Sequence, residues 1–139
     1  VIYYSTSGAP AQEGYEQVDF ETLLTQSDII SVHAPLNKHT EGLIDRETFE
    51  KMKPSCIFLN LGRGPIVDEQ ALYDALVRNQ IAAAGLDVLC EEPMSADNPL
   101  LKIKDSKRLL ITPHIAWASV EARTHLMEII HGQVKDFFA

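Results

Sequence analysis

Cys56-Ile-Phe-Leu-Asn-Leu-Gly-Arg-Gly-Pro-Ile-Val-Asp68 is the stretch that decides the fold. Cys56 to Asn60 is a short apolar run and reads as a buried strand. The chain then turns at Gly62-Arg-Gly64, where glycine permits a tight backbone path. Asp68 stands where a helix to Asn79 needs an N-cap, and Leu72, Ala75 and Leu76 fall on the inner face of that helix. Strand, turn and helix in that order are the unit from which α/β sheets are built.

The same unit recurs on either side. Val1-Ile-Tyr-Tyr4 is apolar and β-prone and ends at Ser5-Thr-Ser-Gly8, with a loop from Ala9 to Glu16. Asp19 caps a predicted helix to Gln26, in which Phe20, Leu23 and Leu24 have helical spacing. Asp28-Ile-Ile-Ser-Val-His33 is the next strand, stopped by Pro35, and Asp45 caps a short helix through Met52 that Lys53-Pro54 ends. Ala82-Ala-Ala-Gly-Leu-Asp-Val88 is small and apolar throughout, as a central parallel strand should be. Leu109-Leu-Ile111 is the last strand, closed by Pro113, and Ser119 caps a long helix to about Phe138. The alternation predicts an α/β fold, a doubly wound parallel sheet with helices on both faces. A strand opening at residue 1 with no helix before it leaves one side of that sheet incomplete.

The bulk numbers bound the possibilities. With 139 residues, 45% hydrophobic and 23% charged, the chain suits one ordinary domain. A formal net charge of -8 argues against generic nucleic-acid binding, because no basic surface accumulates to neutralise phosphates. It does not disfavour a small anionic substrate, since one placed Arg outweighs a diffuse field at contact distance. There is no signal-peptide pattern and no apolar span of about 18 residues. Two cysteines, Cys56 and Cys90, form no disulfide framework, which points to a cytoplasmic protein without a membrane partner. Cys56 reads as a core residue, and Cys90 has no basic neighbour to activate it.

Three loops carry residues of catalytic type: Arg63 in Leu-Gly-Arg-Gly-Pro, Glu92 in Asp-Val-Leu-Cys-Glu-Glu-Pro, and His114 in Thr-Pro-His-Ile-Ala-Trp. Each follows an apolar strand, and open α/β sheets deliver site residues from the carboxyl ends of their strands. A cation, a carboxylate and an imidazole delivered there make an anion clamp beside an acid/base pair, which is what reduction of a 2-oxo acid requires. Taken singly, Arg63 could be a turn residue paired with a helix end, Glu92 a surface carboxylate beside Glu91, and His114 a satisfied core histidine. Together they favour catalysis. His33, at a strand end, either lines the cofactor cleft or packs there, with packing favoured, and His39, His125 and His131 read as facing solvent. No pair of them has metal-ligand spacing with a carboxylate or thiolate, so no metal is expected.

An ordered set of motifs carries a resemblance: His33-Ala-Pro-Leu-Asn-Lys-His-Thr40, Met52-Lys-Pro, Asn60-Leu-Gly-Arg-Gly-Pro-Ile-Val-Asp68, Gly85-Leu-Asp-Val-Leu-Cys-Glu-Glu-Pro93, Asn98-Pro-Leu and Thr112-Pro-His-Ile-Ala-Trp-Ala-Ser119. In these the chain, from residue 1 to about residue 137, resembles the cofactor domain of the D-isomer-specific 2-hydroxyacid dehydrogenases. The resemblance implies a Rossmann-like sheet. It implies that Arg63 binds the substrate carboxylate and polarises the 2-oxo group, in keeping with a permanently charged, fork-shaped guanidinium. His114 would be the general acid in reduction and the base in oxidation, since an imidazole ordinarily titrates near 6.5 (roughly) and suits proton traffic at neutrality. Glu92, in the family register the carboxylate directly before Pro93, would hydrogen-bond His114 and favour the imidazolium. For the cofactor, the resemblance implies a backbone wall at Ala34 and Pro35 and a polar contact from Thr40. Leu61 and Gly62 would lie near the nicotinamide ribose, with Arg63 beside them, and Asp87 would accept the nicotinamide carboxamide. An Asp ending a strand also commonly caps the next turn.

Two departures shape the expectation. The family's glycine fingerprint would precede residue 1, and its substrate domain is built from both chain ends. Residues 1–139 are therefore expected to be a partial NAD(P)-binding domain, truncated on its N-terminal side and inactive alone. Where NAD-preferring members end the first strand here with an acidic residue, this chain has Ser5-Thr-Ser7, and no Lys or Arg occurs before Lys38. NAD is favoured, with NADP as the alternative. Trp117 resembles the signature of the glycerate dehydrogenase (hydroxypyruvate reductase) branch, so hydroxypyruvate and D-glycerate are the leading substrate pair. Family members are usually homodimers through this domain. The competing reading, of a different class, is a nucleotide-sensing interaction module like the family's corepressors.

Overall fold

A computed structural model describes residues 1–138. Its centre is a four-stranded parallel sheet of β3 (Ile29–Val32), β4 (Ile57–Asn60), β5 (Ala83–Leu86) and β6 (Leu109–Ile111), in that order. Before it come β1 (Ile2–Tyr3) and β2 (Glu16–Gln17), which pair in parallel with each other and not with the central sheet. The helices are α1 (Phe20–Gln26), α2 (Arg46–Lys51), α3 (Glu69–Val77) and α4 (Val120–Phe137), with 3-10 turns at Gly64–Ile66 and Pro99–Lys102. No helix among the described residues is long and apolar enough to cross a membrane.

Each predicted N-cap is made. Asp19 accepts the Thr22 N–H, Asp45 the Thr48 N–H, Asp68 the N–H groups of Gln70 and Ala71, and Ser119 the Ala122 N–H. These bonds satisfy amide donors that the first turn of a helix cannot pair internally. β2 was expected to be loop. It is two exposed polar residues long and offers no alternation to read; its pairing register, Ile2 with Glu16 and Tyr3 with Gln17, is a tertiary fact.

The sheet is two-sided in its burial. Ile30, Val32, Phe58, Asn60, Ala84 and Leu86 lie on one face and are buried. Ile29, Ile57 and Leu110, on the other, are exposed. α1, α2, α3 and the Pro99–Lys102 turn pack in sequence over the buried face. Phe49 of α2 meets Phe58 of β4 edge-on, centroids 5.4 Å apart, at the heart of this core. The described connections thus form one helical layer, and the open face is where a doubly wound sheet carries its second. A cavity of about 450 Å³ lies between β1 and β3, walled by Tyr3, Ile30, Val32 and Ile44. α4 has no buried residue, and Val120, Met127, Ile130, Val134 and Phe137 line up exposed along it.

Neighbouring residues of β4 test this arrangement. Phe58→Ala should lower the free energy of unfolding by about 3–5 kcal/mol, whereas Ile57→Ala, on the open face, should cost about 1 kcal/mol or less, both read from urea unfolding. Equal losses would mean that both faces are covered.

Candidate active site

β4, β5 and β6 are adjacent and parallel, so their carboxyl ends open on one side and carry Arg63, Glu92 and His114 on neighbouring loops. Glu92 and His114 meet: Nδ1 of the imidazole lies 2.9 Å from Glu92 Oε2. Glu92 Oε1 accepts the Leu89 N–H at 2.9 Å. The Leu89 amide first and His114 second hold the Glu92 carboxyl below the usual glutamate range, so it is ionised at neutral pH. An ionised partner on Nδ1 leaves Nε2 as the nitrogen available for proton exchange.

Arg63 stands apart from that pair. Its Nη1 donates to its own neighbour, the Gly62 carbonyl, at 2.8 Å, and its side chain lines a cavity of about 410 Å³ with His33, Ala34, Pro35, Leu36, Leu61 and Gly62. Glu92 and His114 border a different cavity, of about 750 Å³, whose walls are mostly apolar. The loops themselves touch: a Cβ on Gly64 would overlap the Leu89 carbonyl, so only glycine lets the Arg63 loop seat against the Glu92 loop.

Two buried polar side chains aim these loops. Asn60, at the end of β4, accepts the Gly62 N–H at 3.1 Å and donates to the Arg63 carbonyl at 3.0 Å, closing the turn that presents Arg63. Asp87, directly after β5, is 3% exposed. Its oxygens accept the Thr112 hydroxyl at 2.5 Å and the N–H groups of Ile115 and Ala116, each at 2.9 Å. Burial pushes the Asp87 carboxyl up, but these three donors and nearby His114 outweigh it and hold the group below the usual aspartate range. His114 between them has a φ of +54°, a left-handed conformation that non-glycine residues adopt at a cost. Trp117 helps to hold it there, its indole N–H donating to the His114 carbonyl at 2.9 Å.

The remaining sequence-derived positions divide. Ser5, Ala34 and His33 line the cavity between β1 and β3, and His33 and Ala34 continue into the one beside Pro35, Leu61, Gly62 and Arg63. Together the two form a groove running from the Ser5 hydroxyl, 3.2 Å from that of Ser7, to the guanidinium. Thr40 does not face it. It is fully buried, and its hydroxyl donates to the Pro35 carbonyl at 2.7 Å and accepts the Asn37 N–H at 2.9 Å, so it shapes the groove wall from behind. Asp87 is committed chiefly to the His114 loop, and the turn it holds belongs to β6 rather than to its own strand. Asn60 was not singled out from sequence; the available signal was a polar residue ending an apolar strand just before a Gly-x-Gly turn. Cys90 is exposed at its surface, but partial desolvation and the adjacent Glu69 carboxylate push its thiol up to about 11, away from the thiolate form.

Residues 1–116 match the model of the D-isomer specific 2-hydroxyacid dehydrogenase NAD binding domain. A hydroxypyruvate reductase of Blautia hydrogenotrophica is 45% identical over 139 residues, covering 99% of this chain and 42% of that protein. An acyclic imino acid reductase, solved in complex with NADPH and D-Arg, superposes with a TM-score of 0.86 at 36% identity, covering 99% of this chain and 43% of the other. A D-lactate dehydrogenase of Aquifex aeolicus, solved with NAD and lactic acid, gives a TM-score of 0.81 at 28% identity over 99% of this chain and 45% of its own. The chain spans about two fifths of the length of the curated relatives it matches.

Asp87→Asn should destabilise the fold by about 2 kcal/mol, the scale of hydrogen bonds to a buried charge. Because the folded-state pKa is depressed, the contribution of Asp87 is complete above the ordinary aspartate value of about 3.9 and fades as pH falls from there through the folded value. Stability measured from about pH 5 down to about pH 2 should therefore fall less steeply in the variant; an identical slope would show that Asp87 carries no such linkage.

Proposed function

This chain belongs to the D-isomer specific 2-hydroxyacid dehydrogenase family, in its NAD-binding domain, and from that premise we propose that it is the cofactor-binding part of an oxidoreductase. The reaction is hydride transfer between NAD(P)H and a small 2-oxo acid, with hydroxypyruvate and D-glycerate as the leading pair. The observation that carries this reading is the Glu92–His114 contact on the loop next to Arg63. The chain is a partial domain in this reading, and turnover belongs to a polypeptide that also supplies a substrate domain and a glycine-rich pyrophosphate cradle.

The groove fits a dinucleotide by the chemistry of its donors. Ser5 and Thr6 hydroxyls stand at one end for a ribose, Ala34 and Pro35 form the wall, and Leu61, Gly62 and Arg63 stand at the other end. NAD(H) is favoured over NADP(H), because no Lys or Arg occurs among the first 37 residues to pair with a 2′-phosphate. When bound, the cofactor supplies or accepts the hydride. Arg63 holds the substrate carboxylate with its free guanidinium N–H groups and draws electron density from the 2-oxo oxygen. His114 delivers a proton from Nε2 to that oxygen in reduction and takes it back in oxidation. Ionised Glu92 accepts the Nδ1–H hydrogen bond and so fixes which nitrogen faces the substrate. Asp87 serves this step by aiming the His114 loop. We further read the working enzyme as a cytoplasmic homodimer. Free thiols at Cys56 and Cys90 fit a reducing compartment, and the exposed apolar stripe of α4 is surface of the kind that association covers.

Turnover by the intact gene product tests the proposal. NADH should be oxidised with hydroxypyruvate, and His114→Ala should lower kcat about 10²–10⁴-fold with little change in NADH affinity. Absence of NADH oxidation with hydroxypyruvate, glyoxylate and pyruvate alike would remove the enzyme reading and favour a nucleotide-sensing module.

A further inference from the structure

The loop bearing Glu92 is tied down on both sides of that residue by a carboxylate from another element. Glu69, the first residue of α3, accepts the Cys90 N–H at 2.8 Å through Oε1 and the Asn98 side-chain amide at 2.7 Å through Oε2. Asn98 is buried and uses its own carbonyl oxygen to accept the Leu100 N–H at 2.9 Å, which starts the Pro99–Lys102 turn. The two anchor points bracket Glu92 and its cis bond to Pro93. Leu89, whose N–H Glu92 accepts, is pressed from the other side by the backbone of Gly64.

Capping does not explain Glu69. Asp68 already takes the N–H groups of Gln70 and Ala71. The Glu69 carboxylate spends both oxygens on the loop instead, in charge-assisted bonds that are stronger and more directional than neutral ones. The loop it holds has one apolar side chain, Met94, packed against the core, so the Glu69 bonds at Cys90 and Asn98 are its polar ties to α3.

We propose that Glu69 is a positioning residue for the acid–base pair, its carboxylate clamping Cys90 and Asn98 so that Glu92 reaches His114. This rests on the reading of Glu92 and His114 as that pair. Glu69 touches neither side chain; it acts through the loop backbone.

The test separates this role from general stability and from catalysis. Titration of the Glu92 carboxyl by carbon NMR on the 139-residue chain reads the local geometry, because Leu89 and His114 set its position and the charged groups facing it are His114 and Asp87. In Glu69→Ala the Glu92 midpoint should rise to the ordinary glutamate value of about 4.3. Exchange of the Cys90 amide should accelerate about tenfold, while amides in the β4–β5 ladder keep their protection. Glu69→Gln retains one acceptor for Cys90 but turns an amide toward Asn98, so it should fall between the two. An unchanged Glu92 midpoint in Glu69→Ala overturns the proposal. Equal acceleration of exchange in the β4–β5 ladder overturns it too, since that would make Glu69 a residue of overall stability. Neither readout needs turnover, so an inactive gene product would remove the proposed reaction without altering this result.

Discussion

The carboxylate of Asp87 is the constraint on which the site depends. It sits at the end of a central strand, almost without exposure, and would be costly there without partners. Its partners all come from the loop after the neighbouring strand: one hydroxyl and two backbone amides. The same bonds that satisfy a buried charge hold His114 in a left-handed backbone conformation it would not otherwise keep. Burial and loop geometry are thus linked at one residue: the bonds that compensate burial also aim the imidazole.

Two other loops are held by local polar bonds within themselves. Asn60 closes the Arg63 turn from the end of β4, and Thr40 stiffens the groove wall after β3. Glycine does the complementary work at Gly64, where absence of a side chain lets two of these loops press together. Asp87 alone reaches across, because adjacent carboxyl ends of parallel strands put its side chain beside the loop that follows β6. The floor beneath is ordinary packing: Phe49, Phe58, Leu72 and Leu76 are buried between sheet and helices and contribute no chemistry.

Much of the fold was legible because its signals are local. Asp19, Asp45, Asp68 and Ser119 announce four helix starts, and all four caps form. Apolar runs at 29–32, 57–60, 83–86 and 109–111 are strands. β2 escaped because two exposed polar residues carry no periodicity. The parallel α/β sheet was as expected; that α1, α2 and α3 lie over one of its faces was not readable, because a run such as Ile57-Phe-Leu looks the same whether one face is buried or both. Of the site, the motif order brought Arg63, Glu92 and His114 to notice, but Thr40 looked like a groove contact when its hydroxyl in fact faces inward.

The sequence by itself determined the four helices, the four strands of the central sheet, their order and the three loops of the candidate site, because caps, turns and apolar runs act within a few residues of themselves. Only the tertiary structure decided what Asp87, Asn60 and Glu69 do. Their partners lie on other loops or on the far side of a turn, and a carboxylate's role depends on which donors the fold brings within about 3 Å. It also decided that Glu92 meets His114 while Arg63 faces the groove, since strand order and loop path, not spacing along the chain, set which side chains converge.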